Sequence, residues 1–410
     1  MDNNQGFSNT LDILIANTNI IELLTMIIVI SAIIGIIIYV AVKQNAKTDN
    51  CNKMKGLYSS DTNIVPVLKS NQLNYTIGDN TYETRLRDMY IKSSYNSCSA
   101  GNYKDDWVST CALNEVLKQG CRFIDFEIYS INHEPVVATS TTTDYYTKET
   151  WNSIPFKEIT KIIKKNAFIG DYVPNPTDPL LVHLRFKSND ILMYNKLAKI
   201  IRSDLDSYTL DNKYSCGYAD EGNNPANVLD ATFISNVLKQ KVIFIVDGNS
   251  NNTYMNTDMN EFVNLSTSCT VTPSITEYRK FSAENSETND SLTAVSKAGE
   301  IIILPDLNKQ PINIDCTSST NGFFNYGSQI VGMCFQLKDV NLNNYINFFN
   351  APSSGNAPCA FILKDTSLID PDSSETYPSL DKMEMSTQTH TSKSGYTFEY
   401  PVYNKKDSTS

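Results

Sequence analysis

Histidine is nearly absent from this sequence: only His133, His183 and His390 occur in 410 residues. Histidine is the most common general acid or base in enzymes, so few positions could move protons at neutral pH. No two cysteines are spaced as Cys-x-x-Cys, which argues against a structural zinc site. The nine cysteines are unclustered and odd in number, a pattern typical of reduced thiols rather than of a disulfide framework.

Positive charge is also in short supply. The chain has 34 Lys and Arg residues against 45 Asp and Glu residues, which gives a formal net charge of -11. A nucleic-acid-binding protein presents a basic face, and adhesion of the whole surface to an anionic membrane would need one too. We therefore expect no nucleic-acid partner, and membrane contact must come from a local feature.

That local feature is an uncharged apolar run at residues 23–42. About 20 apolar residues in a helix match a hydrocarbon core of roughly 30 Å. A secretory signal peptide fits less well, because its apolar core is about 7–15 residues long and follows a basic start. Residues 1–22 are instead an acidic leader without Lys or Arg, and a run this long seldom stays buried as a core helix. We predict a single transmembrane helix at 23–42.

The charges that flank the run predict its orientation. Lys43, Lys47, Lys53 and Lys55 follow the apolar run, and no basic residue precedes it. Because positive charge is retained on the cytosolic side of a membrane, the large C-terminal part is predicted to face the cytosol.

The rest of the chain divides by composition into a tether, a domain and a tail. Residues 43–84 are polar and are interpreted as an irregular tether. Residues 85–370 alternate short apolar strands with helical patterns, which is typical of β–α units around a parallel sheet. Within them, residues 248–298 are rich in Asn, Ser and Thr and are interpreted as a long surface excursion. Residues 371–410 are rich in Ser and Thr and are predicted to be disordered.

Two predicted strands carry charged residues on one face. In the strand at 121–129, Asp125 and Glu127 alternate with apolar residues, and in the strand at 180–186 Arg185 shares a face with His183. We expect His183 to be a hydrogen-bonded core residue. Further strands are predicted at 242–246, 301–304, 330–335 and 360–363.

Seven short segments resemble, in order, the motifs of eukaryotic phosphoinositide-specific phospholipase C. They are residues 94–97, 117–122, 134–137, 156–168, 179–184, 329–336 and 361–364. The first five resemble the X half of that family's catalytic domain, and the last two resemble its Y half. The resemblance implies an α/β fold, a (β/α)8 TIM barrel of the phospholipase-C-like phosphodiesterase type, preceded here by the transmembrane helix. The X-like half is placed at about 85–247 and the Y-like half at about 299–370.

The same resemblance implies roles for individual positions. The two catalytic histidines of the family fall on Tyr95 and Thr139, so neither is present. Asn96 is retained, and Asp125 and Glu127 keep two of the acids that surround calcium in the family. A further metal-binding glutamate of the family falls on Arg185, whose guanidinium repels Ca²⁺ at close range and cannot coordinate it. We therefore expect no metal and no other cofactor.

In a barrel of this type, inward residues near the carboxyl ends of the strands line the site. The pocket candidates are therefore Asn96, Asp125, Glu127, Arg185 and Asp247, the last near a position where the family has a phosphate-binding lysine. Two interpretations of the charged residues remain open. They are either an ion cluster that replaces the metal and holds the barrel mouth together, or a ligand-binding set.

Because both catalytic histidines are missing, we expect no phosphodiesterase activity. Each proton-transfer group contributes about 10²–10⁴-fold to a rate, and a tyrosine of pKa about 10 is a poor base. We expect a membrane-anchored, phosphatidylinositol-specific phospholipase C-like protein that is catalytically inactive and binds a lipid headgroup or a protein partner. The first alternative is an active phosphodiesterase on phosphoinositides or related phosphodiesters, with Asp125, Glu127, Asp247 or Arg185 in altered roles. The second is a structural membrane scaffold.

Overall fold

The structure, a computed structural model, divides into two compact units, Met1–Asp49 and Asn50–Ser410. The residues that it describes are 3–59, 73–143, 146–220, 226–247, 252–267, 275–280, 283, 289–319, 322–350, 359–371, 383–391 and 397–405.

The first unit is helical throughout its described length. Helix α1 (Asn3–Leu57) begins within the acidic leader, contains the whole predicted run at 23–42 and continues into the second unit. The described side chains of the apolar run are exposed. From Ile20 onward this helix is long and apolar enough to cross a membrane.

The second unit contains the remaining strands and helices. In chain order the strands are β1 (Asn74–Ile77), β2 (Asn80–Glu83), β3 (Met89–Ile91), β4 (Phe123–Ile131), β5 (Glu134–Ala138), β6 (Ile154–Pro155), β7 (Leu180–Phe186), β8 (Val242–Asp247), β9 (Val263–Ser266), β10 (Ile275–Arg279), β11 (Glu300–Leu304), β12 (Ile330–Val331), β13 (Phe361–Leu363), β14 (Met383–Thr391) and β15 (Thr397–Lys405). The helices are α2 (Thr110–Lys118), α3 (Phe156–Ile162), α4 (Ile191–Leu205), α5 (Cys216–Asp220), α6 (Asn289–Ala298) and α7 (Val340–Asn350).

Eight of these strands run parallel in the order of a (β/α)8 barrel. One parallel series is β4, β7, β8 and β9, and the other is β10, β11, β12 and β3. A parallel bridge between Ser93 and Phe123 joins the two series beside β3 and β4. Within the described residues no strand pairing joins β9 to β10, so the ring of hydrogen bonds is continuous except at that junction. The α/β barrel architecture expected from the sequence is confirmed.

Alternation along the strands separates the interior of the barrel from the layer under the helices. In β7, Val182 and Leu184 pack in the outer cluster with residues of α4, whereas Leu181 packs in the inner cluster with Phe123 of β4. Because successive side chains of a strand point to opposite faces, Asp125, His183 and Arg185 follow the inward row. All three are buried.

The excursion predicted at 248–298 is wrong in part, because this segment supplies β9 and β10 to the barrel and forms α6. Both strands are short and contain polar residues, among them Asn264 in β9 and Glu277 in β10. These polar side chains are buried, so the segment lacks the apolar run by which a barrel strand is usually recognised.

The irregular tether predicted at 43–84 also differs from the structure. Helix α1 continues to Leu57, where Met54 and Tyr58 are buried against the domain, and β1 and β2 form an antiparallel hairpin. Cys51 is disulfide-bonded to Cys111, which corrects the expectation that all cysteines are reduced thiols.

The tail predicted to be disordered at 371–410 contains an antiparallel hairpin of β14 and β15. Residues that favour extended backbone are frequent in this hairpin, Thr in β14 and aromatic residues in β15. A low aliphatic content predicts the lack of a packed core but does not exclude local strand pairing.

Candidate functional site

Neighbouring strands place charged residues in two layers at the carboxyl end of the barrel. In the deeper layer, Asp125 of β4 lies beside His183 of β7. In the layer above, Arg185 of β7 lies between Glu127 of β4 and Asp247 of β8. The side chains predicted to converge are thus brought together, because parallel strands in register align their inward rows.

The guanidinium of Arg185 is the centre of this cluster. It donates two hydrogen bonds to Asp125, from Nε to Oδ1 at 2.9 Å and from Nη2 to Oδ2 at 2.8 Å. Nη1 donates to Glu127 Oε1 at 2.8 Å, and Nη2 also donates to Asn96 Oδ1 at 2.7 Å. A bidentate arrangement of this kind is the strongest that an arginine makes with a carboxylate. Arg185 is only 2% exposed, so its positive charge and the negative charges of Asp125 and Glu127 compensate each other inside the protein.

The charge pairing is visible in the pKa values of the two partners. Burial alone would raise the pKa of Asp125, but the Arg185 guanidinium and the hydrogen bond from His183 hold this pKa well below its ordinary value. Burial would lower the pKa of Arg185, and the nearby carboxylates outweigh burial and raise it. Both residues therefore remain charged at neutral pH.

His183 lies between two carboxylates. Its Nδ1 is 2.9 Å from Asp125 Oδ1, and its Nε2 is 3.4 Å from Glu277 Oε2. Burial lowers the pKa of this imidazole, but the hydrogen bond with Asp125 and the nearby Glu277 carboxylate raise it overall to about 9. At neutral pH both ring nitrogens therefore carry protons, and His183 cannot act as a base.

Tyr95 lies between two guanidinium groups. Its ring centroid is 4.8 Å from the Arg185 guanidinium carbon and 5.8 Å from that of Arg279. Arg279 Nη1 also donates to the Tyr95 hydroxyl oxygen at 3.2 Å and to the Pro305 carbonyl at 2.8 Å. Burial is the largest influence on the pKa of Tyr95 and raises it above 10 in spite of the two arginines.

Glu127 is held by neutral donors as well as by Arg185. Its Oε2 accepts hydrogen bonds from the Tyr129 hydroxyl at 2.7 Å and from the Ser140 backbone N–H at 2.9 Å. Together with the bond from Arg185 to Oε1, these contacts give both carboxylate oxygens a partner within the protein.

Comparison with known proteins shows what part of this site resembles. Residues 82–228 match the family model described as phosphatidylinositol-specific phospholipase C, X domain. This part of the chain is similar to a phospholipase C X domain. The matched X-domain region contains Tyr95, Asn96, Asp125, Glu127 and Arg185.

One similar sequence and two similar solved structures are consistent with the X-domain match. A 1-phosphatidylinositol 4,5-bisphosphate phosphodiesterase 1 of Saccharomyces cerevisiae is 28% identical over 129 residues, which are 32% of this chain and 13% of the yeast protein. Crystal structures of PLC21 from S. officinalis and L. pealei superpose with TM-scores of 0.52 and 0.53 at 16% identity. They cover 72% and 70% of this chain and 38% of each of those chains, so this chain spans well under half the length of its relatives.

The two positions where the resemblance implies catalytic histidines lie on either side of Tyr103 in the X domain. The rings of Tyr95 and Tyr103 are 5.5 Å apart, and the Thr139 hydroxyl donates to the Tyr103 carbonyl at 2.8 Å. Tyr95 and Thr139 are 2% and 1% exposed. Neither side chain has a titrating proton available at neutral pH in this arrangement.

The oxygens that would hold calcium in the X domain do not fit a cation here. One oxygen of Asn96 and of Glu127, and both oxygens of Asp125, accept hydrogen bonds from Arg185. A cation at their centre would meet the guanidinium, and Ca²⁺ needs six to eight oxygen ligands. No group of three or more metal-binding side chains occurs among the described residues.

Asp247 and two residues missed by the sequence analysis complete the charged layer. Asp247 is half-buried and raises the pKa of the neighbouring Lys187, although burial is the larger influence and lowers that pKa overall. Glu277 and Arg279 come from β10, within the segment interpreted as an excursion. The alternation of Ile275, Glu277 and Arg279 could have indicated this strand. A five-residue segment with two charged residues on its inward face, however, does not differ clearly from a polar loop.

Proposed function

We propose that this chain is a membrane-anchored phospholipase C-like protein whose barrel does not cleave phosphodiesters and instead binds the headgroup of an anionic lipid. The observation that carries the proposal is the position of the Arg185 guanidinium, which is bonded to Asn96, Asp125 and Glu127. The cluster thereby holds a fixed positive charge where a mechanism of this family would require an exchangeable metal.

The lack of a neutral histidine in the described part of the mouth supports the lack of catalysis. A phosphodiesterase that attacks with a substrate hydroxyl must remove one proton and return another to the leaving group. Within the described part of the mouth, the imidazole of His183 is protonated and bonded to Asp125, and the Thr139 hydroxyl is bonded to a backbone carbonyl. Loss of both transfer steps would reduce the rate by about 10⁴–10⁸-fold.

One unused hydrogen-bond donor and two further positive charges support headgroup binding. The Asn96 side-chain amide is buried at 2% exposure, and its Nδ2 has no hydrogen-bond partner among the described residues. Because a buried unpaired donor is costly, an acceptor oxygen from a ligand would satisfy it. Arg279 and Lys187 add positive charge in the same layer, which suits a phosphate group.

The anchor is α1, whose apolar part has the length of a bilayer. A membrane-attached barrel meets lipid headgroups at high local concentration, so weak headgroup binding suffices for function. Headgroup binding does not depend on which side of the membrane the barrel faces, although the lysines after the apolar run favour the cytosolic side by charge alone.

Catalysis is tested with the full chain in lipid nanodiscs that contain phosphatidylinositol, with Ca²⁺ or with chelator. We expect no water-soluble inositol phosphate above the level of empty nanodiscs, whereas a known phospholipase C included in parallel releases it. Turnover that disappears in a folded Asp125→Asn variant would establish the alternative, an active enzyme with altered roles for the charged residues.

Headgroup binding is tested by direct titration rather than by activity. Fluorescently labelled inositol trisphosphate is titrated into the full chain in phosphatidylcholine nanodiscs, with Arg279→Gln as the site variant and Arg202→Gln as an exposed control. We expect saturable binding that Arg279→Gln weakens at least tenfold and Arg202→Gln leaves unchanged. No saturable binding would favour the remaining alternative, a structural scaffold.

A further inference from the structure

A disulfide joins the end of α1 to the start of α2. Cys51 and Cys111 are bonded with their Cα atoms 6.0 Å apart, a usual separation for a disulfide. Six further described cysteines are all buried, whereas Cys51 and Cys111 are both half-buried. Among the cysteines in the described part of the chain, the two with access to oxidants are therefore the two that form a disulfide.

Packing around the disulfide brings its two halves together independently of the bond. We call residues 50–58 the docked segment. Asn50 Nδ2 donates to Asp106 Oδ1 at 3.0 Å, and the Tyr58 hydroxyl donates to the Phe335 carbonyl at 2.5 Å. Met54 between them is 1% exposed. The docked segment is thus packed against the domain by these contacts, and this packing holds Cys51 beside Cys111.

Lys338 makes further contacts with the docked segment. Its Nζ donates to the Leu57 carbonyl at 2.9 Å and lies 5.1 Å from the centroid of the Tyr58 ring. At the other end, a side chain at position 101 would collide with Asn50 and Asp106, so Gly101 allows their close approach. Contacts at both ends of the docked segment therefore hold Cys51 next to Cys111.

An independent feature concerns asparagine. Asn74 begins the sequon Asn74–Tyr75–Thr76, and both Asn74 and Thr76 are exposed on the hairpin of β1 and β2. The sequon at Asn264 is different, because that amide is buried, accepts from the Phe244 backbone N–H and donates to the Tyr214 carbonyl. Of these two, only Asn74 can carry a glycan in the folded protein.

We propose that the domain formed by residues 50–410 folds in an oxidising compartment, where Cys51 and Cys111 form their disulfide and Asn74 accepts an N-linked glycan. Thiols that face the cytosol are kept reduced, so a disulfide held in place by packing favours the other side of the membrane. This orientation is opposite to the one that the lysines after the apolar run favour. The flanking charges bias the orientation only statistically, and a structural disulfide is rare in the cytosol, so the disulfide is the stronger indication of the compartment. The proposal does not depend on whether the barrel is catalytically active.

The test translates the full chain in a cell-free system with endoplasmic reticulum microsomes. Added protease and maleimide labelling report on the domain and on its thiols, and PNGase F reports on glycans. A matched chain carries an extra sequon tag before Met1, which is glycosylated only in the reverse orientation. Alkaline carbonate extraction shows separately whether α1 is integral to the membrane, which the proposed function also assumes.

We expect a protease-protected domain that loses one glycan in the Asn74→Gln variant. Cys51 and Cys111 should react with maleimide only after reduction, and Cys51→Ser should release a reactive Cys111. A glycosylated N-terminal tag with a protease-sensitive domain would overturn the orientation. In a protected domain, Cys51 labelling without reductant would overturn the disulfide, and an Asn74→Gln variant with no lost glycan would overturn the modification site.

Discussion

Arg185 supplies the positive charge that two buried carboxylates need. The cluster contains two fully buried carboxylates, Asp125 and Glu127, and burying such charges without a counter-ion costs several kcal/mol each. A metal could compensate them, but so does a guanidinium with four hydrogen bonds to the same set of oxygens. The guanidinium is part of the chain and cannot dissociate, so the compensation is permanent.

Replacing Arg185 with Met should therefore lower the free energy of unfolding by about 3–5 kcal/mol, because Asp125 and Glu127 would stay buried without their partner. The measurement is urea unfolding of the full chain in mild detergent, followed by tryptophan fluorescence. Lys196→Met is the matched control, since it breaks the exposed ion pair with Glu134 and should change stability by less than about 1 kcal/mol. Equal effects of the two substitutions would contradict the compensating role of Arg185.

His183 predicts a pH dependence of stability. Its pKa in the folded protein is about 9, above the value of about 6.5 for an unfolded histidine. The folded state thus binds the proton more tightly, so the stabilisation is fully present below pH 6.5 and is lost as pH rises through 9. The amount is roughly 3 kcal/mol.

The pH prediction is checked by the difference between the wild-type profile and that of His183→Gln, measured by urea unfolding from pH 6 to pH 10. Glu300 and Lys364 also have shifted pKa values, of about 8 each, and they contribute to both profiles alike. The wild-type advantage should shrink across the window from 6.5 to 9. A constant difference would mean that His183 is neutral in the folded protein.

At the scale of elements, some strands can be predicted from the sequence and others cannot. β7 was predicted at its observed bounds, because seven residues alternate between apolar positions under the helices and a mixed inward row. β10 was missed, because its inward positions are Glu277 and Arg279 and it has only five residues. Alternation indicates a strand only when one face is clearly apolar, and a strand whose inward face serves a charged site lacks that contrast.

The docked segment of α1 gives an element-scale prediction. Met54 packs in the main core with 1% exposure, so Met54→Ala should lower the free energy of unfolding by about 2–5 kcal/mol. Lys53→Ala, on the exposed side of the same turn, should change it by no more than about 0.5 kcal/mol. Both variants are measured by urea unfolding in reducing buffer, which removes the contribution of the Cys51–Cys111 disulfide. A Met54 effect as small as that of Lys53 would show that the segment is a tether after all.

At the scale of the whole molecule, the chain combines an apolar helix with a phospholipase C-like phosphodiesterase domain. The barrel order of its strands is retained, and the layer of charges at its mouth draws on β4, β7, β8 and β10. Since these strands come from both parallel series, the cluster also links the two sides of the ring next to the junction where strand pairing is missing. The ion pair between His183 of β7 and Glu277 of β10 joins the two series in this layer.

The stability of this chain should be unaffected by calcium. A site with a dissociation constant of about 10 μM would add about 2.7 kcal/mol of stability at 1 mM Ca²⁺, which a thermal melt detects easily. We expect no shift of the melting temperature between 1 mM Ca²⁺ and chelator, and no binding heat by calorimetry. A saturable heat with one ion per chain would overturn the conclusion that Arg185 occupies the metal position.

The sequence by itself determined the local features: the apolar helix, the alternation along β4 and β7, and hence the inward direction of Asp125, Glu127 and Arg185. Only the tertiary structure decided which groups meet, such as His183 with Glu277 and Cys51 with Cys111. The physical reason is that side-chain direction repeats every two residues along a strand and can be read locally. Contact between residues 60 or more positions apart depends on how the strands are arranged around the barrel and on where the end of α1 packs against the domain.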